Sequence, residues 1–214
     1  MDARREAKAR EVEALEAELR ALHARGDFEG VVTLALRRYG PEVLGFLVAV
    51  RRDAQAASEC FSQFCEDLWT GVPRFEWGSS FRTWAYVLAR HAMVRHAKDA
   101  FQRRRVALEE HPHLSRLEQQ IRTQTLPHLR TDVKQRAARL RERLEPEEQA
   151  LLVLRVDQGL AWSDIAQVLA EQAEGAPAGK RDTAKETAAL RKRFERVKAK
   201  LKALMEEEGM LDEP

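Results

Sequence analysis

Cysteine is almost missing from this chain: Cys60 and Cys65 are the two thiols in 214 residues. Five positions apart in a helical pattern, their Cα atoms would lie beyond bridging range, and the spacing fits no zinc knuckle. A reduced, cytoplasmic protein is expected. Long hydrophobic runs are missing too. The most apolar stretches, 43–50 and 150–154, fall far short of the roughly 20 residues that span a bilayer. Met1-Asp2-Ala3-Arg4-Arg5-Glu6 carries charge with no apolar segment behind it, which argues against a signal peptide. No membrane insertion is expected. Gly (ten) and Pro (seven) are sparse and fall at boundaries, and no alternating Val/Ile/Thr-rich run marks a strand. No catalytic constellation appears: there is no Gly-rich phosphate loop after a strand, no His-Glu-x-x-His and no close Ser/His/Asp set. His111 and His113 lie two apart without a Cys or second His pair to complete a metal site. The expectation is a non-enzyme with no metal and no cofactor.

What the chain does have is 44% apolar residues, enough for globular cores, and an uneven charge distribution. Residues 71–105 hold eight Arg/Lys against two acids, and 180–202 hold ten against three. Between them, 144–179 has one Arg against seven acids, and 203–214 adds five acids with no base. Two basic blocks in an otherwise acidic chain suggest two contact points on a polyanion; solvated helix faces would give the same pattern.

The periodicity predicts an all-α chain. Val12, Leu15, Leu19 and Leu22 form a narrow stripe on a helix over 3–25, ended by Gly26-Asp27. A second helix runs to about Arg38 and is expected to break at Tyr39-Gly40-Pro41. A third covers roughly 42–50 and a fourth 54–69, closed by Gly71 and Pro73. After a loop over 70–80, Phe81, Trp84, Ala85, Leu88 and Ala92 share one helix face, so Trp84 reads as core. Trp77 sits in the loop with no periodic reason for burial, and a base-facing role stays open. Residues 106–129, with Pro112, Pro127, His111, His113 and His128, read as a linker with room for one short helix.

Toward the C-terminus, a helix over about 132–144 precedes one opened by Pro146 and stopped by Gly159. Trp162–Leu169 is a short amphipathic helix whose N-cap position holds Ala161. In the last helix Leu190, Phe194, Val197, Leu201 and Leu204 form a seam, while Lys185, Ala188, Lys192 and Arg196 lie on the opposite face. A basic face backed by an apolar seam suits a helix that packs on its own domain while entering a major groove. A membrane or a partner protein could take such a helix as well.

These residues carry a resemblance. Arg25-Gly26-Asp27, Arg38-Tyr39-Gly40-Pro41, Pro73-Arg74-Phe75, Ser79-Ser80-Phe81-Arg82-Thr83-Trp84, Tyr86, Ala89-Arg90 and Arg103-Arg104-Arg105 resemble region 2 of bacterial RNA polymerase sigma factors of the extracytoplasmic-function type. Leu144-Glu145-Pro146-Glu147, Leu154-Arg155, Gly159-Leu160 and Asp164-Ile165-Ala166 resemble region 4. About three quarters of the chain is covered. The resemblance implies an N-terminal helical extension (1–24), a region 2 domain (25–105), a linker (106–129), a region 4 helix-turn-helix domain (130–205) and an acidic tail (206–214).

It also implies roles. Asp53, Glu59, Gln63 and Glu66, on or beside the helix 54–69, would meet core RNA polymerase. Arg74, Trp77, Arg82, His91, Arg95, Lys98 and Arg103–Arg105 would melt and capture the −10 element. Lys185, Ala188, Arg191, Lys192 and Arg196 would read the −35 element. Partners would be core polymerase, double-stranded and melted promoter DNA, and an anti-sigma factor. Two departures stand out: Ser58-Glu59 and Ser62-Gln63 replace the acidic pair and Gln-Glu of the family, and some 18 residues separate Leu169 from Ala188. A helix-turn-helix regulator that does not recruit polymerase, or a protein that sequesters an anti-sigma factor, remains open.

Overall fold

The computed structural model describes residues 2–98, 111–128, 140–170 and 183–208. Helices account for the regular structure among them, with no strand, as the periodicity requires. They are α1 (Asp2–Ala24), α2 (Phe28–Arg51), α3 (Ala54–Gly71), α4 (Phe81–Lys98), α5 (Pro112–His128), α6 (Pro146–Leu152), α7 (Trp162–Leu169) and α8 (Thr183–Glu207). A 3-10 turn at Val72–Arg74 follows α3, and a wide π turn at Val153–Asp157 prolongs α6 before Gly159 reverses the chain at φ +68°.

α2 is the central post. The Asp27 side chain accepts the Gly30 N–H at 2.9 Å and caps it. The helix then passes straight through Tyr39-Gly40-Pro41, where the sequence suggested a break. Pro41 is exposed on the outer side of the helix, where water can take up the carbonyl that its missing N–H leaves unpaired. Its neighbours Tyr39, Gly40, Val43 and Leu44 are all buried, and that packing keeps the helix continuous. α1, α3, α4, α5 and α6 all contact α2, so residues on several of its faces are buried.

The stretch read as a linker holds more structure than expected. α5 buries Leu114, Leu117 and Ile121 against α2 and α3. At roughly 1.5–3 kcal/mol per fully buried aliphatic side chain, this contact is substantial. α5 lies so close to α2 that a Cβ at Gly40 would come within 2.8 Å of Ile121 Cδ1. The two histidines diverge: His111 lies against Trp69 with ring centroids 4.1 Å apart, and His113 Nε2 bonds Thr33 Oγ1 at 2.9 Å.

α6 and α7 dock onto the N-terminal helices rather than standing apart from them. Arg90 pairs with Glu147 at 2.9 Å, and Arg52 donates to Gln149 Oε1 and to the Leu144 carbonyl. α7 lies along α4, and one continuous core runs from Leu15 to Val168. Two-sided coverage explains why Tyr86, Val87, Ala89 and Met93 of α4 are buried outside the single face read from the sequence. Ala161 offers no side-chain cap to α7; the Ala161 backbone and Thr83 of α4 both favour the ionised form of the Asp164 carboxyl in its first turn. Burial nonetheless pushes the Asp164 carboxyl up. α8 packs its seam as expected, with Val197 and Leu204 buried and Phe194 and Leu201 partly so.

Candidate nucleic-acid interface

α3 presents a polar stripe. Glu59, Gln63 and Glu66 recur at four- and three-residue spacing and share a face; Asp53 instead caps the helix, accepting the N–H groups of Gln55 at 2.8 Å and Ala56 at 3.2 Å. Gln63 donates to Asp67 at 3.1 Å and Glu66 at 3.5 Å. Two side chains from the end of α4 lean on this stripe: His96 Nε2 meets Glu59 at 2.9 Å and Arg95 pairs with Asp67. Burial pushes the Asp67 carboxyl up, against the pull of Arg95 and Gln63. On the inner face Cys60 and Cys65 are buried, and burial holds the Cys60 thiol up at about 11 and Cys65 well above its ordinary value. Neither is a ready nucleophile.

The loop after α3 is an aromatic knot. Phe75 stacks on Trp84 at 4.5 Å, Phe81 meets both edge-on, and Gly71 is tight against Trp84, where a Cβ would sit 2.9 Å from Cζ2. Trp84 is therefore half core, as its periodicity implied. Trp77 is half-buried against Phe75 and His23, with the Arg20 guanidinium 4.8 Å over its ring, and its backbone lies in the left-handed region at φ +58°. Arg74 is exposed and bonds locally, to the Thr70 carbonyl at 3.3 Å.

Arg82 departs from its expected place. Its side chain is only 12% exposed, forked onto Glu42 at 2.7 and 2.9 Å and bonded to the Gln158 carbonyl at 3.1 Å. Burial opposes its charge, but Glu42 holds the guanidinium above its ordinary pKa. In this structure it ties α2, α4 and the end of α6 together instead of facing a phosphate. Glu42 carried no sequence signal beyond a polar residue on α2, so the pair was invisible before the fold. His91 and Arg95 are half-exposed on α4; the Lys98 side chain and Arg103–Arg105 lie outside the described residues.

The decisive observation concerns this same assembly of helices. Residues 35–105 match the family model of Sigma-70 region 2. The matched segment runs from mid-α2 through α3, the aromatic loop and α4, so the loop and the polar stripe both fall inside the part of the chain that is similar to that family. No curated protein matches the chain.

Outside that segment, α8 exposes Lys185, Ala188, Arg191, Lys192 and Arg196. Arg191 leans over Trp162, itself covered by Arg155 at 4.7 Å. The residues 171–182, which include most of the segment between α7 and α8, lie outside the described residues. Among the described residues no group of His, Cys, Asp and Glu could hold a metal ion, and no helix is long and apolar enough to cross a membrane.

Proposed function

We propose that this chain is a sigma factor of the extracytoplasmic-function type, which binds core RNA polymerase and directs promoter opening. The match of residues 35–105 to Sigma-70 region 2 carries the reading. Region 2 contributes two surfaces. The α3 stripe of Glu59, Gln63 and Glu66, with Asp53 fixing the start of the helix, meets polymerase. Arg74 and Trp77 in the loop, with His91, Arg95, Lys98 and Arg103–Arg105 beyond, receive the melted −10 strand. That strand needs cations for its phosphates and an aromatic face for its bases.

Residues 130–205 act as region 4, with α7 and α8 as a helix-turn-helix and Lys185, Ala188, Arg191, Lys192 and Arg196 reading the −35 element in the major groove. The exposed basic face of α8 supports this. Region 2 and region 4 reach separate promoter elements as two domains, so the contacts of α6 and α7 with α2 and α4 open when promoter DNA and polymerase are engaged. An anti-sigma factor holds the protein in check in the cytoplasm. The role involves no catalysis by the chain and no cofactor.

The test is pulldown with core RNA polymerase followed by transcription in vitro on genomic fragments. Promoter-specific transcripts support the reading. DNA binding without core retention points to a regulator that does not recruit polymerase, and neither activity points to a protein that only engages an anti-sigma partner.

A further inference from the structure

The family match begins at residue 35 and leaves α1 unassigned. Yet three α1 side chains at four- and three-residue spacing reach the aromatic loop and the start of α4. Glu16 accepts the Phe81 N–H at 2.7 Å, the Arg82 N–H at 3.0 Å and the Tyr39 hydroxyl at 3.0 Å. It thus fills the donors left open at the first turn of α4. His23 Nε2 lies 2.9 Å from the Val72 carbonyl, an acceptor only, so this nitrogen carries the proton. His23 Nδ1 is then free to accept the Trp77 indole N–H at 3.4 Å. Arg20, exposed, covers the same indole.

What these contacts hold is an uncommon backbone. A bulky residue at φ +58° is strained, and such a conformation persists where its surroundings over-determine it. Arg20 and His23 supply those surroundings on one side, and Phe75 and Phe81 on the other. We propose that α1 is the brace that keeps Trp77 and the loop 72–80 shaped to receive an unpaired nucleotide, with His23 and Arg20 as positioning residues. This rests on the reading of the loop as the single-strand site. The ligand class is single-stranded nucleic acid: a base stacks on the indole where the Arg20 guanidinium now lies, and Arg20 swings to a phosphate.

The experiment uses the full chain and fluorescein-labelled mixed-sequence single strands of about 15 nucleotides, matching the reach of one binding groove, beside the corresponding duplex. His23→Ala should weaken single-strand binding by about tenfold, the order of one lost stacking contact, and leave duplex affinity unchanged. Trp77→Gly should weaken it similarly, and adding His23→Ala to Trp77→Gly should change nothing more, because Gly adopts the left-handed backbone unaided. If His23→Ala melts too low to measure, His23→Gln, whose amide replaces the bond to Val72, and Arg20→Ala take its place in the same cycle. Equal losses with and without Trp77, or equal losses on single strand and duplex, would overturn the proposal and leave α1 a structural helix. Tighter single-strand binding by the variants would overturn it in favour of α1 as a cover. A parent protein with no affinity for single strands would overturn the reading of the loop and this inference together, whereas unaffected variants overturn the inference alone.

Discussion

Replacing Glu42 by Gln tests how the matched helices are held to α6. The Arg82 guanidinium is 12% exposed and Glu42 23%, so the pair is shielded from water. Removing one partner of a shielded pair strands the other charge, which costs about 3–5 kcal/mol. Gln keeps one carbonyl acceptor for the fork, and the Gln158 carbonyl still accepts at 3.1 Å, so the expected loss falls to about 2–3 kcal/mol. For a chain of this size that lowers the melting temperature by about 5–10 °C, read by circular dichroism or calorimetry. Replacing both partners, Glu42→Met with Arg82→Met, leaves no stranded charge and should come within about 1 kcal/mol of the parent. The Gln158 groups that lose Arg82 are half-exposed and can turn to water. A single variant that melts within about 2 °C of the parent, or a double variant as unstable as the single, would refute this account of Arg82.

Three further outcomes follow from the geometry. Gly40→Ala should press a methyl against the movable Cδ1 of Ile121 while gaining about 1 kcal/mol of helix propensity, so net stability should stay within about 1 kcal/mol of the parent, with hydrogen exchange over 112–128 quickened more than elsewhere; uniform exchange would contradict the docking of α5. Asp67 has its folded pKa raised by burial, so its contribution to stability grows as pH falls below the folded value and is lost as pH rises through it. Asp67→Asn should therefore gain less stability than the parent as pH is lowered from neutral toward the ordinary carboxylate range near about 4, measured by denaturant midpoints. Lys192→Ala should cost about 1–3 kcal/mol on its preferred DNA and relax sequence choice, whereas Arg74→Ala should weaken all sequences alike and lower the salt slope by about one. Binding curves on matched and scrambled DNA separate the two, and identical responses would remove the division between base and phosphate contacts.

The helices and their inward faces were legible because they repeat: the α8 seam from Leu190 to Leu204 and the α4 stripe from Phe81 to Ala92 follow local spacing. The continuity of α2 was not. Tyr39-Gly40-Pro41 has the composition of a break, and burial against the neighbouring helices outweighs it. α5 had a readable signal, Leu114, Leu117 and Ile121 at helical spacing, masked by the histidines and prolines around it. At the interface, exposed cations on α8 fell where rotation put them. Arg82 did not, because a cation facing DNA and a cation paired with a carboxylate forty positions away look the same in one dimension. The contacts of Glu16, Arg20 and His23 are hidden for that same reason.

α8 is fixed unevenly along its length. The residues it buries, Val197 and Leu204, lie in its second half, and so do the ion pairs Lys200–Glu148 and Arg143–Glu207 that fasten it to the body. The first half, with Lys185 and Lys192, is held by half-buried contacts, Leu190 and Phe194 on the core and Arg191 over Trp162, and forms the lighter end of a beam clamped chiefly at the other. Lys200 and Arg143 are 40% and 48% exposed, so salt weakens the clamp as well as any grip on phosphate. Raising ionic strength then loosens the aim of the beam while it removes the counterion-release gain. Both effects have the same sign. A count of phosphate contacts taken from the salt slope of this helix will run high until the clamp is replaced by uncharged residues.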